Sequence, residues 1–545
     1  MALPAGLTTI DSYRHPPEPP FRSGYRRFHG DSEEGSYDHQ RAGRTKIVRT
    51  PEAGTIDEAG LMLCSSEPPR TSPLSTSDRP LPWRDIGMVL LCALVVPFTL
   101  YLALALVSAL TLSRLLTVVG IYFVMTASFV LLEAVVAFPS QRRHNSGSLG
   151  MPFPKVTALV VAYLPNEQGI ILTTINHLLT TVDAPRDSLQ VILAYNTPED
   201  LPVERELQLL AASDPRLLLL RVEGSQSKAE NINAALPYIT GEITGLFDSD
   251  HLPEPACFDK AVRWIQDGYD AVQGRCVIRN EHENWLTRMI AIEFAIMYAV
   301  LHTAGSVLTG TAVFGGSNGY WRTQTLRSLR MEQAMLTEDI DVTVRALLAG
   351  YRMVHDRSLI STELAPTTVS GWFYQRLRWA QGWYQATWKH TRAVARSAAM
   401  NRWQRLYWMY MLPCREANAA LAPQGLAIIL ALATIQAWVQ GTWSWDSYLA
   451  GMMIMALLGD VPLTLVAYKH RSGGRSGTRA ADLMAYVLCR PLFLALMLNL
   501  IALVSWLREF RHQRDWIVTD RGSAGYKPAE VRVTEAVSSG TREPF

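Results

Sequence analysis

The sequence predicts an α/β domain of the doubly wound kind, inserted between transmembrane α-helices. Three observations carry this. Of 545 residues 48% are apolar and only 18% charged, against roughly 25% charged in an ordinary soluble domain. The apolar excess falls in blocks rather than evenly, and between two sets of such blocks short β-branched runs alternate with helical patterns. Those blocks read as membrane spans, and the alternation reads as βα units on a parallel sheet.

Residues 1–84 are rich in proline and carry mixed charge without sustained periodicity, so they bury too little surface to offset ordering entropy and are expected to form a disordered cytosolic tail. No basic stretch followed by a short apolar core trails Met1, so no cleaved signal peptide is expected. Within 85–139, Ile86 to Leu112 holds no charged residue and Leu115 to Phe138 holds only Glu133, which predicts two spans connected near Arg114. Arg79 and Arg84 before the pair, and Arg142, Arg143 and Lys155 after it, place both outer flanks in the cytosol by the positive-inside rule.

Residues 150–370 are then a cytosolic domain. Val156–Ala162, Leu189–Ala194, Leu217–Val222, Thr244–Phe247 and Ala271–Val277 read as strands. Asn231–Leu236, Pro255–Asp267 and Glu338–Ala349 read as helices, the last capped by Thr337 in front and Gly350 behind. Residues 371–415 form aromatic-rich interfacial helices, where Trp372, Phe373, Trp383, Tyr384 and Trp388 have the composition of a membrane–water boundary. In 416–507, Ala419–Val439 and Ser447–Tyr468 are two more spans. Ala481–Leu507 has basic residues at both ends, which suits a re-entrant segment broken near Arg490 and Pro491, an ordinary fifth span being the alternative. Residues 508–545 follow as a cytosolic tail. Asp460 and Arg490 are ionisable groups at membrane depth, which ordinarily face a cavity or a partner.

A net charge of +2 offers no field for nucleic acid, and the six cysteines form no CxxC pair or dense framework. Walker A, GxGxxG and HExxH patterns are absent, which removes the ATPase, dehydrogenase and zinc-hydrolase readings. Three groups of residues suit other chemistry. Asp248 and Asp250, two apart on a strand-ending turn, can address one hard divalent cation, although such a pair is also common on solvated turns. Asp339 lies in the first turn of a helix, where the dipole favours its ionised form, so it is either a general base or a simple complement to that dipole. Gln375, Arg378 and Trp379 stand at i, i+3 and i+4, sharing a helix face that offers an amide, a cation for a diphosphate and an indole for a sugar ring.

In this order these elements resemble the membrane-embedded family 2 glycosyltransferases, the group of cellulose, chitin and hyaluronan synthases, over roughly Val156 to Lys389. The DxD, TED (Thr337-Glu338-Asp339) and QxxRW motifs are joined by Lys228-Ala229-Glu230-Asn231-Ile232-Asn233-Ala234-Ala235-Leu236, similar to the family's KAGNLNAAL, and by Phe314-Gly315-Gly316-Ser317-Asn318-Gly319, similar to its acceptor loop. The resemblance implies a GT-A fold and inverting transfer from a nucleotide sugar, UDP-linked, with Mg2+ or Mn2+ on Asp248 and Asp250. It implies Asp339 as base beside Glu338, Lys228 and Arg378 near the diphosphate, Gln375 and Arg376 in the same motif, Gly316 in the acceptor loop and Trp379 under the acceptor. Ala162-Tyr163-Leu164-Pro165-Asn166-Glu167 is two residues longer than the family's first motif, so that Tyr163 and Glu167 are carried over to the base site with an altered spacing. Asn196 stands where the family has a carboxylate, and its amide matches the donor and acceptor edge of uracil.

The function expected is a processive synthase of a β-linked polysaccharide, coupled to translocation, in a multi-pass plasma-membrane protein with a cytosolic catalytic domain. Its partners would be the nucleotide sugar, a growing glycan or lipid acceptor and the bilayer, with no nucleic acid. A glycolipid enzyme adding one sugar is the runner-up, and a non-catalytic scaffold or transporter is the third reading. The stretch Trp516 to Arg521, similar to the family's WxKTxR ending, is expected on the cytosolic side.

Overall fold

The computed structural model describes residues 45–48, 79–139, 153–441, 446–470, 480–490, 495–514 and 519. The rest of the expected tails, including Trp516 and Arg521, lies outside the described residues. One sheet organises the domain. Its strands are β1 (Thr45–Val48), β2 (Val156–Tyr163), β3 (Leu189–Asn196), β4 (Leu217–Val222), β5 (Ile243–Asp248), β6 (Leu252–Pro253), β7 (Ala271–Ile278), β8 (Gly319–Arg322) and β9 (Met353–Glu363). Their order is β1-β4-β3-β2-β5-β8-β7-β9-β6.

β2, β3, β4 and β5 are parallel, as the alternating pattern predicts. The remainder of the sheet is mixed: β8 runs antiparallel between β5 and β7, and β9 pairs parallel to β7. β1 adds antiparallel to β4, so the expectation of disorder throughout 1–84 does not hold for Thr45–Val48. Strand alternation sends Val156, Ala158 and Val160 into one core and Leu159 and Val161 into another. Helices cover both faces, with Ile171–Thr181 and Cys257–Gln266 on the first side and Lys228–Ala235 and Glu338–Leu348 on the second. Chain order reverses direction around β2, with β3 on one side and β5 on the other. In open α/β sheets that crevice, beyond the carboxyl ends of the strands, is where ligands bind.

Among the described residues three helical stretches are long and apolar enough to cross a membrane: Trp83–Ala137, Trp285–Thr309 and Arg402–Gln440. The first carries exposed apolar side chains along its length, among them Leu100, Val107, Val118 and Met125. Its helical path breaks at Ser108, with φ −157° and ψ 91°, and not near Arg114. Ser108 behaves as an N-cap there, its Oγ accepting from Thr111 N at 3.2 Å, and so begins a second helix. Trp285–Thr309 has no counterpart in the expectations; it is interrupted by a π-helical turn, Met297–Leu301, and much of it is buried against the sheet domain. Ala480–Cys489 and Ala495–Phe510 are separate helices, each shorter than the ~20 residues of a single crossing.

The aromatic stretch after 371 is more deeply placed than a boundary belt. Trp372 and Phe373 are buried, whereas Trp388 is 82% exposed. They belong to the helix Val369–Arg396, capped by Thr368, whose Oγ1 accepts from Gly371 N at 3.1 Å. This helix passes the TED segment at Gly382, where a Cβ would stand 2.3 Å from Thr337 Oγ1. Gln385 Oε1, one turn on, accepts from Leu336 N at 3.1 Å. Gly382→Ala should therefore force the two segments apart at a cost of ~1–3 kcal/mol, read as a lower thermal midpoint of the detergent-purified protein. An unchanged midpoint would show that the helix does not approach Thr337 this closely.

Candidate active site

The carboxyl ends of β2 and β5 open onto a cavity that holds most of the residues singled out from the sequence. Tyr163, Glu167, Lys228, Asp248, Gly316, Glu338, Asp339, Gln375, Arg378 and Trp379 all line it. The longer first motif is accommodated as a helical turn, Leu164–Glu167, which returns Glu167 so that its Oε2 accepts from Tyr163 N at 2.9 Å. Asn166, within the inserted turn, donates from Nδ2 to Thr519 O at 2.8 Å, and Thr519 also lines the cavity.

Asn196 is the first residue whose place differs from expectation. Its Nδ2 donates to Ser225 O at 3.0 Å and its Oδ1 accepts from Asn231 Nδ2 at 2.8 Å, and it does not line the cavity. The protein's own groups hold the amide that was expected to meet a base. Asn231, from the KAENINAAL helix, lines the cavity instead. Sequence reasoning passed over it because the motif drew attention to Lys228.

Lys228 ties the site together. Its Nζ donates to Gly316 O at 2.7 Å, forms an ion pair with Asp248 Oδ1 and lies 3.8 Å from Glu338 Oε1. Burial acts to lower its pKa, but the carboxylates of Asp248, Glu338 and Asp339 prevail and raise it, so the ammonium stays charged. Gly316 has φ +86°, and a Cβ there would sit 2.9 Å from Asp339 Oδ2, so only glycine lets this loop approach both Lys228 and Asp339.

Asp248, Asp250 and His251 each offer a ligand atom, all within 4.8 Å of one another. Asp250 does not line the cavity; Leu364 N donates to its Oδ2 at 2.9 Å and Arg279 donates to its carbonyl. His251, directly after the DxD, is fully buried. Ser361 Oγ lies 3.0 Å from its Nδ1 and Glu363 Oε2 lies 3.3 Å from its Nε2. The two carboxylates fit Mg2+ or Mn2+, the added imidazole favouring Mn2+, and an ammonium resting on Asp248 shows that this corner already accepts positive charge.

Asp339 lies beside Lys228 across Gly316. Its Oδ1 accepts from Ile340 N at 2.9 Å, and its carbonyl accepts from Thr343 Oγ1 at 2.7 Å. Thr337 takes the cap position without a side-chain hydrogen bond. The expected effect of the helix dipole is outweighed: desolvation, with Glu338 beside it, pushes Asp339 up to about 7 against the pull of Lys228 and Arg378. Asp341, two residues on, is a structural acid, held well below the usual carboxylate range by His390, Lys389 and Arg345 despite its burial. Arg378 reaches the cavity, and its Nε has no hydrogen-bond partner among the described residues.

Arg376 departs from expectation as Asn196 does: it is 4% exposed and turned away from the cavity, with Nη2 2.7 Å from Glu293 Oε2 and Nη1 2.7 Å from Gln375 Oε1. Trp383, read from the sequence as interfacial, lines the cavity with Trp379, and so do Phe294, Met297 and Tyr298 of the unforeseen apolar helix. The site can thus present a carboxylate poised near neutral pH, cations for a diphosphate and an aromatic floor.

Residues 154–382 match the family described as "Glycosyltransferase like family 2". A probable glucomannan 4-beta-mannosyltransferase 3 of Arabidopsis thaliana is 25% identical over 172 residues, 31% of this chain and 31% of that protein. A beta-monoglucosyldiacylglycerol synthase of Synechocystis sp. is 26% identical over 274 residues, 48% of this chain and 56% of that one. The chain thus spans under two thirds of the length of either relative. Among solved structures, the mannosyltransferase PcManGT from Pyrobaculum calidifontis, in complex with GDP-Man and Mn2+, is similar over 68% of this chain and 98% of that chain, at 21% identity and a TM-score of 0.48. The sheet order, the acidic strand end at its switch point and the family match together make residues 154–382 a family 2 glycosyltransferase domain of GT-A fold, flanked by apolar helices long enough to cross a membrane.

Proposed function

We propose that the protein is an inverting, metal-dependent transferase that takes a sugar from a UDP-linked donor and extends a β-linked glycan, which passes through its membrane region. The observation that carries the reading is the convergence of Asp339, Arg378 and Trp379 with Lys228 and Asp248 around one cavity. Asp339 takes the proton of the acceptor hydroxyl as that oxygen bonds to the sugar's anomeric carbon and the bond to the diphosphate breaks. A single base on the face opposite the leaving group inverts the configuration. Lys228 and Arg378 offset the charge that collects on the departing diphosphate. Asp248, Asp250 and His251 would hold Mg2+ or Mn2+, which when bound supplies further positive charge there. Trp379, with Gln375 beside it, supports the acceptor ring by stacking, which is attractive yet weakly directional and so permits sliding between additions.

A multi-pass protein with this domain on the cytosolic side is supported by the three apolar helical stretches and by the basic flanks of the first pair. A second reading, one sugar added to a lipid, is favoured by the apolar wall that Phe294 and Met297 give the cavity and by the glycolipid synthase among the relatives.

Four measurements test this: a variant, a pH profile, metal removal and a product assay. Asp339→Asn should lower transfer by ~10²–10⁴ while donor binding persists. Because only the ionised carboxylate accepts a proton, wild-type turnover at saturating substrates should rise with pH through about 7 and level off above it, since Asp339 is pushed up to about 7. Normal turnover in the variant, or a flat profile between pH 5 and 8, would remove the base. Chelator should abolish activity, Mg2+ or Mn2+ should restore it, and His251→Ala should raise the metal concentration needed; full activity in excess EDTA would remove the metal. Membranes containing only this protein, given labelled UDP- and GDP-sugars singly and in mixtures, should make high-mass polymer. A product carrying one sugar per lipid would favour the second reading, and no transfer from any donor would leave neither.

A further inference from the structure

The acceptor floor is tied to charges in the membrane-facing helices that the transfer step does not use. Arg376 gives Nε and Nη2 to the two oxygens of Glu293 at 3.3 and 2.7 Å. Its guanidinium carbon lies 4.2 Å from the Trp379 ring centroid and 5.8 Å from that of Phe294. Glu293 belongs to Trp285–Ile296, the apolar helix that walls the cavity. Arg490, just past the helix Ala480–Cys489, also interacts electrostatically with Glu293. Its Nε is 2.8 Å from Asp460 Oδ1, and its Nη1 donates to Tyr486 OH at 3.1 Å. The signs alternate from Asp460 through Arg490 and Glu293 to Arg376, and the series ends on an indole.

We infer that Glu293 is a positioning residue: it holds the Arg376 guanidinium over one face of Trp379, which leaves only the other face for the acceptor ring. This rests on the acceptor role proposed for Trp379. The physical argument has three parts. An indole with both faces open can tilt toward either, and a cation on one face fixes its plane by attraction to the ring quadrupole. A guanidinium does this while its edge remains hydrogen-bonded, which an ammonium cannot, and here that edge is occupied by Glu293 and Gln375. Arg490 is the cation that could draw Glu293 away, and Asp460 and Tyr486 satisfy it. The two ionisable residues at membrane depth thus acquire a partner in each other and a consequence at the site.

The test uses the full-length protein in detergent or nanodiscs with cellohexaose, mannohexaose and dioctanoylglycerol as acceptor probes, whichever the wild type extends. Glu293→Gln should raise acceptor KM by about tenfold to a hundredfold, while donor KM and the rate of acceptor-independent donor hydrolysis stay within twofold. Arg376→Lys keeps the buried charge but not the planar guanidinium over the ring and should raise acceptor KM in the same way, whereas Glu293→Asp should recover part of the loss. Asp460→Asn should give a smaller effect of the same sign. Removing the partner of a buried arginine can impair folding, so the double variant Glu293→Gln with Arg376→Met is the control: its thermal midpoint should recover relative to Glu293→Gln, with acceptor KM still raised. Unchanged acceptor KM in Glu293→Gln and Arg376→Lys, or an acceptor KM that returns to normal with the midpoint in the double variant, overturns the inference and leaves the transferase reading standing. A wild type that transfers to no probe overturns both.

Discussion

A single ammonium group holds the site in register. Lys228 comes from the helix after β4, Asp248 from the end of β5, Gly316 from the loop before β8 and Glu338 from the helix before β9, and Lys228 Nζ reaches all three of the others. Without that cation, Asp248, Glu338 and Asp339 would repel one another across a desolvated cavity. With it they remain close, and Asp339 is left near its titration point. The shape of the loop follows from the same constraint, since only a residue without a Cβ lets the carbonyl of position 316 turn toward Lys228 while Asp339 passes beneath it.

The second support is the helix Val369–Arg396. It presents Gln375, Arg378 and Trp379 to the cavity from one face, presses Gly382 against Thr337, and sends Gln381 and Gln385 to Glu509 at 2.9 Å each. Glu509 belongs to Ala495–Phe510, so the Gln375–Trp379 side of the cavity is fastened to a C-terminal apolar helix, as the Lys228–Asp248 side is fastened to the sheet. The proposed extension of a glycan through the membrane would draw on this division, with one wall of the cavity on the sheet and the other on an apolar helix.

Much of this was legible in the sequence where a local pattern carries its own meaning. β2 to β5 and β7 lie within a residue or two of the β-branched runs, and Tyr163 and Asp248 at strand ends, with Lys228, Glu338 and Asp339 in first helical turns, reach the cavity because those positions point there. What was not legible depends on partners distant in the chain. β9 was missed because its sequence, with Arg357 and Glu363, lacks clean alternation and its pairing shifts register opposite Gly274 and Arg275. The helix Trp285–Thr309 was missed because Glu293 interrupts its apolar run, and only the pairing with Arg376 explains that carboxylate. Asn196 reads as a base-binding amide until Ser225 and Asn231 are seen to hold it. Ser108 reads as one more residue of a span until its hydroxyl is seen to cap Thr111.

The central claim, one carboxylate acting on an acceptor opposite a departing diphosphate, is tested most directly by the stereochemistry of the product. Purified protein, a metal and an α-linked UDP-sugar labelled with 13C at the anomeric carbon give a product whose linkage is read by the one-bond carbon–proton coupling and the proton shift of that carbon. The account predicts a β linkage. An α linkage would require either two displacements through a covalent intermediate or a front-face route, neither of which Asp339 alone supplies, and would contradict it.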